Sequence, residues 1–203
     1  MHDRRRDPEA TRNAILDAAE ELFLERGFAD VSLSRIASDS AVTKSLIHHH
    51  FGSKDNLWDA VKVRFFSGYF EAQQQMLTDA PPTLELLKQS MIIYFNYLRQ
   101  KPEFVRLNCW MMLEKDHSCE DMAAEIIKVG ADKIRESQEL GLIRDDLHPN
   151  HILIAFLSLI ENWFLGRTRF CQEPFLDAEQ AREPDQAYLQ DMSEIFFDGI
   201  RPK

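Results

Sequence analysis

The segment SLSRIASDSAVTKSLIHHHFGSKDNL, residues 32–57, decides the fold of this chain. Its serine and threonine positions predict two short helices joined by a tight turn, because such side chains cap the free N–H groups at helix starts. Ser32 is expected to cap the first helix, and Thr43 to cap a second that ends at Gly52. Two such helices on a compact scaffold form a helix-turn-helix, whose second helix reaches base edges in the DNA major groove.

The exposed face of that second helix has the composition expected of a DNA-binding surface. Ile47 and Phe51 lie four residues apart and predict its buried side. At about 100° per residue, the remaining side chains point away from that side or flank it. Apart from Leu46 they are polar or cationic, and none is a carboxylate. The predicted DNA-binding residues, including one on the next helix, are Ser32, Ser34, Thr43, Lys44, Ser45, Leu46, His48, His49, His50 and Lys54.

The chain resembles the tetracycline repressor (TetR) family of bacterial transcription regulators over about its first quarter. The resemblance is carried by TRNAILDAAEELFLERGFADVSLSRIASDSAVTKSLIHHHFGSKDNL, residues 11–57. It implies that the first helix braces the helix-turn-helix, that the residue like Lys54 grips a phosphate, and that residues like those at 43–50 touch bases and backbone. Two features depart from the family pattern. Ala41 stands where glycine is usual, and the run HHHF, residues 48–51, stands where Tyr-x-Tyr-Phe is usual.

The charge of the chain is unevenly distributed. The whole sequence carries −10, yet residues 1–54 hold eight Lys and Arg against nine Asp and Glu, which leaves −9 for the remainder. Arg4, Arg5 and Arg6 predict a basic arm before the first helix. A protein with this distribution is expected to bind phosphates through few contacts and to repel DNA elsewhere, which favours a specific site over general coating.

Composition indicates an ordinary globular protein. Apolar residues make up 44% of the 203 residues and charged residues 29%. The first residues lack the apolar segment of a signal peptide, and the longest apolar run, residues 152–160, is too short to cross a bilayer. Cys109, Cys119 and Cys171 include no close pair and predict reduced thiols. A cytoplasmic protein without membrane association is expected.

The hydrophobic spacing is helical almost throughout, so the predicted fold is all-α, with about nine helices. Residues 1–53 are expected to form the DNA-binding domain and residues 54–203 a ligand-binding and dimerisation domain. The fourth helix has no break and joins the two. Beyond the helix-turn-helix, the helices are predicted from Pro8 to Gly27, Lys54 to about Leu77, Thr83 to about Gln100, Pro102 to about Lys115, Glu120 to Leu140, Asn150 to Arg169 and Pro184 to Asp198.

Large aromatic and methionine side chains recur on the fourth to sixth helices. Any one of them is more often ordinary core, but together with a few polar groups they also fit a small-molecule pocket. The resembling family has its pocket in this region, which favours the pocket. The predicted lining is Phe66, Tyr69, Phe70, Tyr94, Phe104, Asn108, Trp110, Met111 and Trp163.

The eighth helix is apolar on more than one side, so packing on one neighbour cannot cover it. It is either buried within its own subunit or part of a dimer face. A palindromic operator requires two copies of the reading helix, and the resembling family pairs through its last two helices, which favours a homodimer. The predicted interface residues are Phe156, Leu159, Ile160, Trp163, Met192, Ile195 and Phe196.

No catalytic residues, metal site or cofactor are predicted. The three histidines at 48–50 point about 100° apart on a helix and cannot converge on one ion. No glycine-rich phosphate loop or nucleophile elbow is present. The leading hypothesis is a repressor that binds palindromic DNA as a dimer and is released by an unidentified small molecule. A small-molecule-binding protein without DNA binding and an all-helical enzyme remain the alternatives.

Overall fold

The structure, a computed structural model, describes residues 7–115, 120–171 and 183–203. Every regular element in this part of the chain is an α-helix, which confirms the predicted all-α class. The predicted basic arm at Arg4–Arg6, and Cys119, lie outside the described residues. The helices are α1 (Pro8–Arg26), α2 (Leu33–Asp39), α3 (Lys44–Phe51), α4 (Lys54–Asp79), α5 (Leu84–Gln100), α6 (Glu103–Glu114), α7 (Glu120–Glu139), α8 (Pro149–Phe170) and α9 (Pro184–Gly199).

Side-chain caps explain why several helices begin where they do. The Thr83 hydroxyl accepts a hydrogen bond from the backbone N–H of Leu86 at 3.0 Å, at the start of α5. His148 accepts one from the N–H of Asn150 at 3.2 Å, so α8 begins at Pro149, one residue earlier than predicted. Each cap satisfies one of the N–H groups that a helix start leaves without a backbone partner.

The described chain divides into two compact units. The N-terminal unit contains α1, α2, α3, α4 as far as Gly68, and α6 from Arg106. The C-terminal unit contains α4 from Tyr69, α5, the start of α6, α7, α8 and α9. The predicted boundary after residue 53 follows expected function and stays a prediction. Packing divides the chain elsewhere, because α4 and α6 each contribute to both units.

The core of the N-terminal unit joins α1 and α4 to α2 and α3, the two helices of the predicted helix-turn-helix. Phe23 of α1 is fully buried and meets Trp58 of α4 edge to face, with ring centroids 5.0 Å apart. Arg64 adds an outer connection, because its guanidinium forms ion pairs with both Asp17 and Glu20 of α1. These contacts hold α1 and α4 around a fully buried core that includes Ile15, Ala19, Ile36, Ile47, Leu57 and Val61.

The core of the C-terminal unit is formed mainly by α5, α7, α8 and α9. Phe95 of α5 packs against Phe164 of α8, with centroids 4.9 Å apart. Trp163 of α8 stacks on Tyr188 of α9 at 4.2 Å, and its indole N–H donates to Asp185 at 3.0 Å. Within the described residues, no helix combines the length and the apolar character needed to span a bilayer.

Candidate nucleic-acid interface and effector site

Two side-chain caps set the starts of α2 and α3, the two helices of the helix-turn-helix, which is called the reading motif below. The Ser32 hydroxyl accepts a hydrogen bond from the N–H of Arg35 at 3.2 Å and starts α2. The Thr43 hydroxyl accepts one from the N–H of Leu46 at 3.3 Å and starts α3. Both are the side-chain-to-third-residue hydrogen bonds expected at such positions. The predicted helix starts are therefore confirmed.

The turn between α2 and α3 depends on one strained residue. Ala41 has a φ of 53°, in the left-handed region that residues with a Cβ rarely occupy. The following N–H, that of Val42, donates to the carbonyl of Ala37 at 3.0 Å and closes the turn. Ile36 and Ile47 are fully buried on either side of it. The two helices are thereby locked at a fixed angle despite the missing glycine.

The structure exposes the face that the sequence predicted for DNA contact. Ser32, Ser34, Thr43, Lys44, Ser45, His48 and His49 are exposed, while Leu46, His50 and Lys54 are partly exposed. No carboxylate lies on α3. Such a face can approach phosphates and base edges without repulsion from its own charges. The individual DNA contacts stay predictions.

The three histidines of α3 are not equivalent. The ring nitrogen Nδ1 of His48 lies 2.8 Å from the carbonyl oxygen of Gly52 and donates to it, because a carbonyl can only accept. In a neutral ring, the opposite nitrogen is then an acceptor. His48 is therefore suited to receive a hydrogen bond from a base amino group, while His49 lies edge to face against His50, with centroids 5.4 Å apart.

A groove of about 400 Å³ lies beside α3. Its walls combine residues of α3 with the first turn of α1, which the sequence analysis did not include in the site. Thr11 is buried there and its hydroxyl donates to the carbonyl of Asp7 at 3.0 Å. The lining residues are Pro8, Thr11, Thr43, Leu46, His49 and His50.

Lys54, the predicted phosphate-binding residue, folds back onto the loop after α1. Its ammonium lies 4.2 Å from the ring centroid of Phe28 and 3.5 Å from the carbonyl oxygen of Ala29. Partial burial lowers the pKa of Lys54, while the charge of Glu114 acts to raise it. Glu114 is held nearby, because its carboxylate accepts the N–H of Ala29 at 3.2 Å. The sequence indicated Glu114 only as a polar group near the proposed ligand pocket, and its contact with Ala29, 85 positions away, was not predicted.

Four residues predicted to line a ligand pocket lie in the N-terminal unit instead: Phe66, Asn108, Trp110 and Met111. Trp110 has a clear structural role there. Its indole N–H donates to the carbonyl of Leu24 at 3.2 Å, and its ring covers Gly27 so closely that an added Cβ would lie 2.8 Å from it. α6 therefore closes the end of α1.

Other predicted pocket residues come together in the C-terminal unit. The ring of Tyr69 lies 5.6 Å from Phe70, 5.2 Å from Tyr94 and 6.4 Å from Phe104, measured between centroids. Two residues outside the predicted lining join them. Tyr97 stacks on Tyr69 at 4.7 Å, and the Tyr94 hydroxyl donates to a carboxylate oxygen of Glu161 at 2.5 Å.

Glu161 gave one sequence signal, because it interrupts the apolar run of α8. Burial raises its pKa above the usual range, although the hydrogen bond from Tyr94 opposes that shift. Burial also raises the pKa values of Tyr69 and Tyr94, so both remain neutral phenols. Trp163, also predicted to line the pocket, lies instead in the contact of α8 with α9.

Only part of the predicted dimer face is accessible. Phe156, Ile160, Trp163 and Met192 are buried within the C-terminal unit, because α8 packs against α5, α7 and α9. Leu159 and Ile195 are 36% and 72% exposed, and Phe196 is partly exposed. Ile154 and Leu165 add exposed apolar area on α8, at 58% and 61%.

Comparison with known proteins identifies both parts of the chain. The model for bacterial regulatory proteins of the tetR family matches residues 15–61, and the model for the tetracyclin repressor-like C-terminal domain matches residues 92–191. The transcriptional repressor NicS of Pseudomonas putida is 24% identical over 98% of this chain and 96% of its own length. The transcriptional repressor SCO4008 of Streptomyces coelicolor is 28% identical, over 78% of this chain and 80% of its own.

Solved structures share the fold. The ketosteroid transcriptional regulator KstR2 of Mycobacterium tuberculosis has a TM-score of 0.68 at 19% identity, covering 95% of each chain. The fatty acid degradation regulator FadR of Bacillus halodurans has a TM-score of 0.70 at 15% identity, covering 95% of this chain and 97% of its own. With both family models matched and the reading motif in place, this chain belongs to the TetR family of bacterial regulatory proteins and is a DNA-binding transcriptional regulator.

Proposed function

We propose that the protein is a cytoplasmic repressor that binds a palindromic operator as a homodimer and is released by a small molecule. The observation that carries the proposal is the exposed, carboxylate-free face of α3, held by the caps at Ser32 and Thr43. Supporting it, NicS and SCO4008, which match 98% and 78% of this chain, are both named transcriptional repressors.

The operator can be found by selecting DNA from a random library with the purified protein. Two half-sites of opposite orientation are expected, with centres about 34–36 Å apart or a multiple of that distance, because a symmetric dimer presents two copies of α3. Two results would contradict the proposal: equally strong retention of every DNA sequence, or no retention of any DNA even at low salt. The second result would favour a small-molecule-binding protein without DNA binding.

The dimer is proposed to form through the exposed apolar face of α8 and α9, defined by Ile154, Leu159, Leu165, Ile195 and Phe196. Exposed large apolar side chains that recur on neighbouring helices of one subunit often mark an interaction surface. Sixteen- and twenty-two-residue helices of this kind can form a four-helix bundle with their copies in a partner.

Charge placed in that face should separate the subunits. Ile195→Asp and Leu165→Asp should give monomers in sedimentation, because an unpaired charge buried in an interface costs several kcal/mol. Both positions are exposed in the single chain, so the variants should still fold. Val63→Asp is the matched control, since Val63 is 45% exposed on the N-terminal unit. An unchanged dimer in both interface variants would refute the assignment.

The effector is proposed to bind in the C-terminal unit, at the aromatic residues around Tyr69 and Tyr94. Support comes from the convergence of four rings on Tyr69 and from the carboxylate of Glu161 beneath them. Release of operator DNA by a small molecule, measured by fluorescence anisotropy, tests the regulatory part. Reciprocity requires that the same molecule bind the DNA complex more weakly than the free protein, by the same factor.

A further inference from the structure

Four aromatic rings and one carboxylate of the C-terminal unit form a single group, the tyrosine cluster: Tyr69, Tyr94, Tyr97, Phe104 and Glu161. We propose that the tyrosine cluster binds an organic cation, an amine or a quaternary ammonium compound, as the effector. This inference rests on the proposed function, because it names the chemical class that the effector site would take. Its basis is a carboxylate that lies among neutral rings.

The carboxylate of Glu161 has a hydrogen bond but no cation. The Tyr94 hydroxyl donates to one of its oxygens at 2.5 Å. Among the described residues, no lysine, arginine or histidine pairs with it, and burial outweighs the hydrogen bond in setting its pKa. An ionised group removed from water is unfavourable unless an opposite charge compensates it. A bound cation would supply that charge.

The surrounding rings favour the same kind of ligand. Tyrosine faces carry partial negative charge and attract a cation that lies within about 6 Å of the ring centroid. Tyr69 stands at the centre of three rings, at 5.2 Å from Tyr94, 4.7 Å from Tyr97 and 6.4 Å from Phe104. Phe104 and Tyr97 meet edge to face at 5.4 Å, so all four rings lie within one mutually contacting group.

The tyrosine cluster reaches the surface on one side. Tyr94 and Phe104 are buried, at 3% and 2% exposure, and form its base. Tyr69, Tyr97 and Glu161 are partly exposed. The stacked pair of Tyr69 and Tyr97 leaves no space between its rings at 4.7 Å. A ligand that enters between these two rings must therefore displace one of them, and Tyr97 is the one that we propose moves.

The charge of the tyrosine cluster also excludes other ligand classes. An anion would face the Glu161 carboxylate with no basic side chain of the cluster to offset the repulsion. A neutral ligand would leave that carboxylate without a charge partner. Because burial keeps Tyr69 and Tyr94 protonated, they can donate hydrogen bonds or present ring faces but cannot add charge. Only a cation matches all these groups.

The test compares ligands of different charge on the full chain, matched in shape in the first pair and matched in carrying an aromatic ring in the second. Choline and its neutral analogue 3,3-dimethylbutan-1-ol form one pair, and benzyltrimethylammonium and the anion benzoate form the other. Isothermal calorimetry should show each cation binding at least tenfold more tightly than its counterpart. Equal binding within either pair, or no binding of either cation at millimolar concentration, would overturn the proposal.

Two variants test which side chains of the tyrosine cluster cause the preference for cationic ligands. Glu161→Gln keeps an oxygen that can accept the Tyr94 hydrogen bond but removes the charge, so choline should lose its tenfold advantage over the alcohol. Tyr97→Leu should weaken benzyltrimethylammonium severalfold through loss of a ring face. Glu139→Gln, at an exposed position on α7, is the matched control and should change nothing. A cation preference that survives Glu161→Gln would refute the assigned role of the carboxylate.

DNA measurements separate this proposal from the function on which it rests. The wild type and Glu161→Gln should bind a library-selected operator equally well, and benzyltrimethylammonium should release only the wild type. If neither protein binds DNA, the proposed function fails whatever the ligand results. If both bind DNA and only anionic or neutral compounds release it, the repressor function stands and the cation assignment is wrong.

Discussion

The DNA-contact face and the proposed effector site of this protein are built in opposite ways. The face of α3 is open, polar and set by hydrogen bonds between residues three positions apart, such as Thr43 and Leu46. The tyrosine cluster is largely enclosed and aromatic, and it joins residues distant in sequence, since Tyr94 and its hydrogen-bond partner Glu161 are 67 positions apart. The difference matches the two kinds of partner. DNA is comparatively rigid and is best bound by a surface whose geometry is fixed before binding. A small molecule that must alter the protein suits a site made from separate helices that can shift.

The rigidity of the N-terminal unit can be challenged most severely at Gly27. Its φ is 76°, and an added Cβ would lie 2.8 Å from the ring of Trp110. Gly27→Ala should lower the free energy of unfolding by about 2–4 kcal/mol, since left-handed strain adds to overpacking. Urea denaturation measures the change. Gly141→Ala is the control, because its φ is 67° but its Cβ would meet nothing within 4 Å. Equal losses of stability in both variants would mean that the Trp110 side chain can shift to accommodate the added Cβ at little cost.

The preformed reading surface predicts different roles for its two lysines. Lys44→Ala should cost about 1–3 kcal/mol at particular operator positions and relax specificity there, if Lys44 contacts a base edge. Lys54→Ala should weaken binding to all DNA sequences about equally. It should also reduce the slope of the logarithm of the binding constant against the logarithm of the salt concentration by about one unit, as expected for a phosphate contact. Anisotropy titrations at several salt concentrations measure both. Lys128→Ala, on α7, is the charge-matched control. Identical behaviour of the two lysine variants would remove the distinction.

The proposed coupling of effector binding to DNA binding can be tested at Gly68, the last residue of α4 that belongs to the N-terminal unit. An added Cβ would meet nothing within 4 Å, so Gly68→Ala should stabilise the helix by about 1 kcal/mol. We expect the stiffer α4 to blunt the effector response while sparing DNA affinity. DNA titrations with and without effector measure this, with Gly199→Ala, at the end of α9, as the control. An unchanged response would make Gly68 a residue without a regulatory role.

The smallest expected effect is a gain in stability when Ala41 is replaced by glycine. Glycine adopts the observed φ of 53° without the steric cost that alanine bears, but it also adds entropy to the unfolded chain. Ala41→Gly should therefore raise the free energy of unfolding by about 0.5–1 kcal/mol and leave the operator sequence unchanged. Thermal and urea unfolding measure the gain. Lower stability would show that neighbouring contacts, rather than backbone strain, determine this turn.

Local chemistry made the N-terminal unit predictable from sequence. Ser32 and Thr43 reach N–H groups three residues ahead, so the residue type and its spacing are enough to place a helix start. The same reasoning gave the buried side of α3 through Ile47 and Phe51. The bend of Lys54 onto Phe28 could not be foreseen, because it depends on how the loop after α1 returns toward α4.

The proposed effector site follows from the sequence only in outline. Helical spacing shows which residues share a face, but not which neighbour that face meets. Tyr94 and Phe104 of the predicted lining lie in one aromatic group, whereas Trp110 packs on α1 through the Leu24 carbonyl, 86 positions away. Glu161 was overlooked as a site residue because a single acid in an apolar helix is ordinary until a buried tyrosine is found opposite it.

The closure of α1 by α6 has a consequence for how this protein can be recombined. The DNA-reading unit is not one continuous stretch of sequence, because it includes Trp110 and Glu114 from a helix that begins in the other unit. A chimera cut once after α3 or within α4 would take the reading helices away from the indole that covers Gly27. Exchange of operator specificity between relatives should therefore succeed by substituting the exposed residues of α3 and fail by transplanting the whole N-terminal segment.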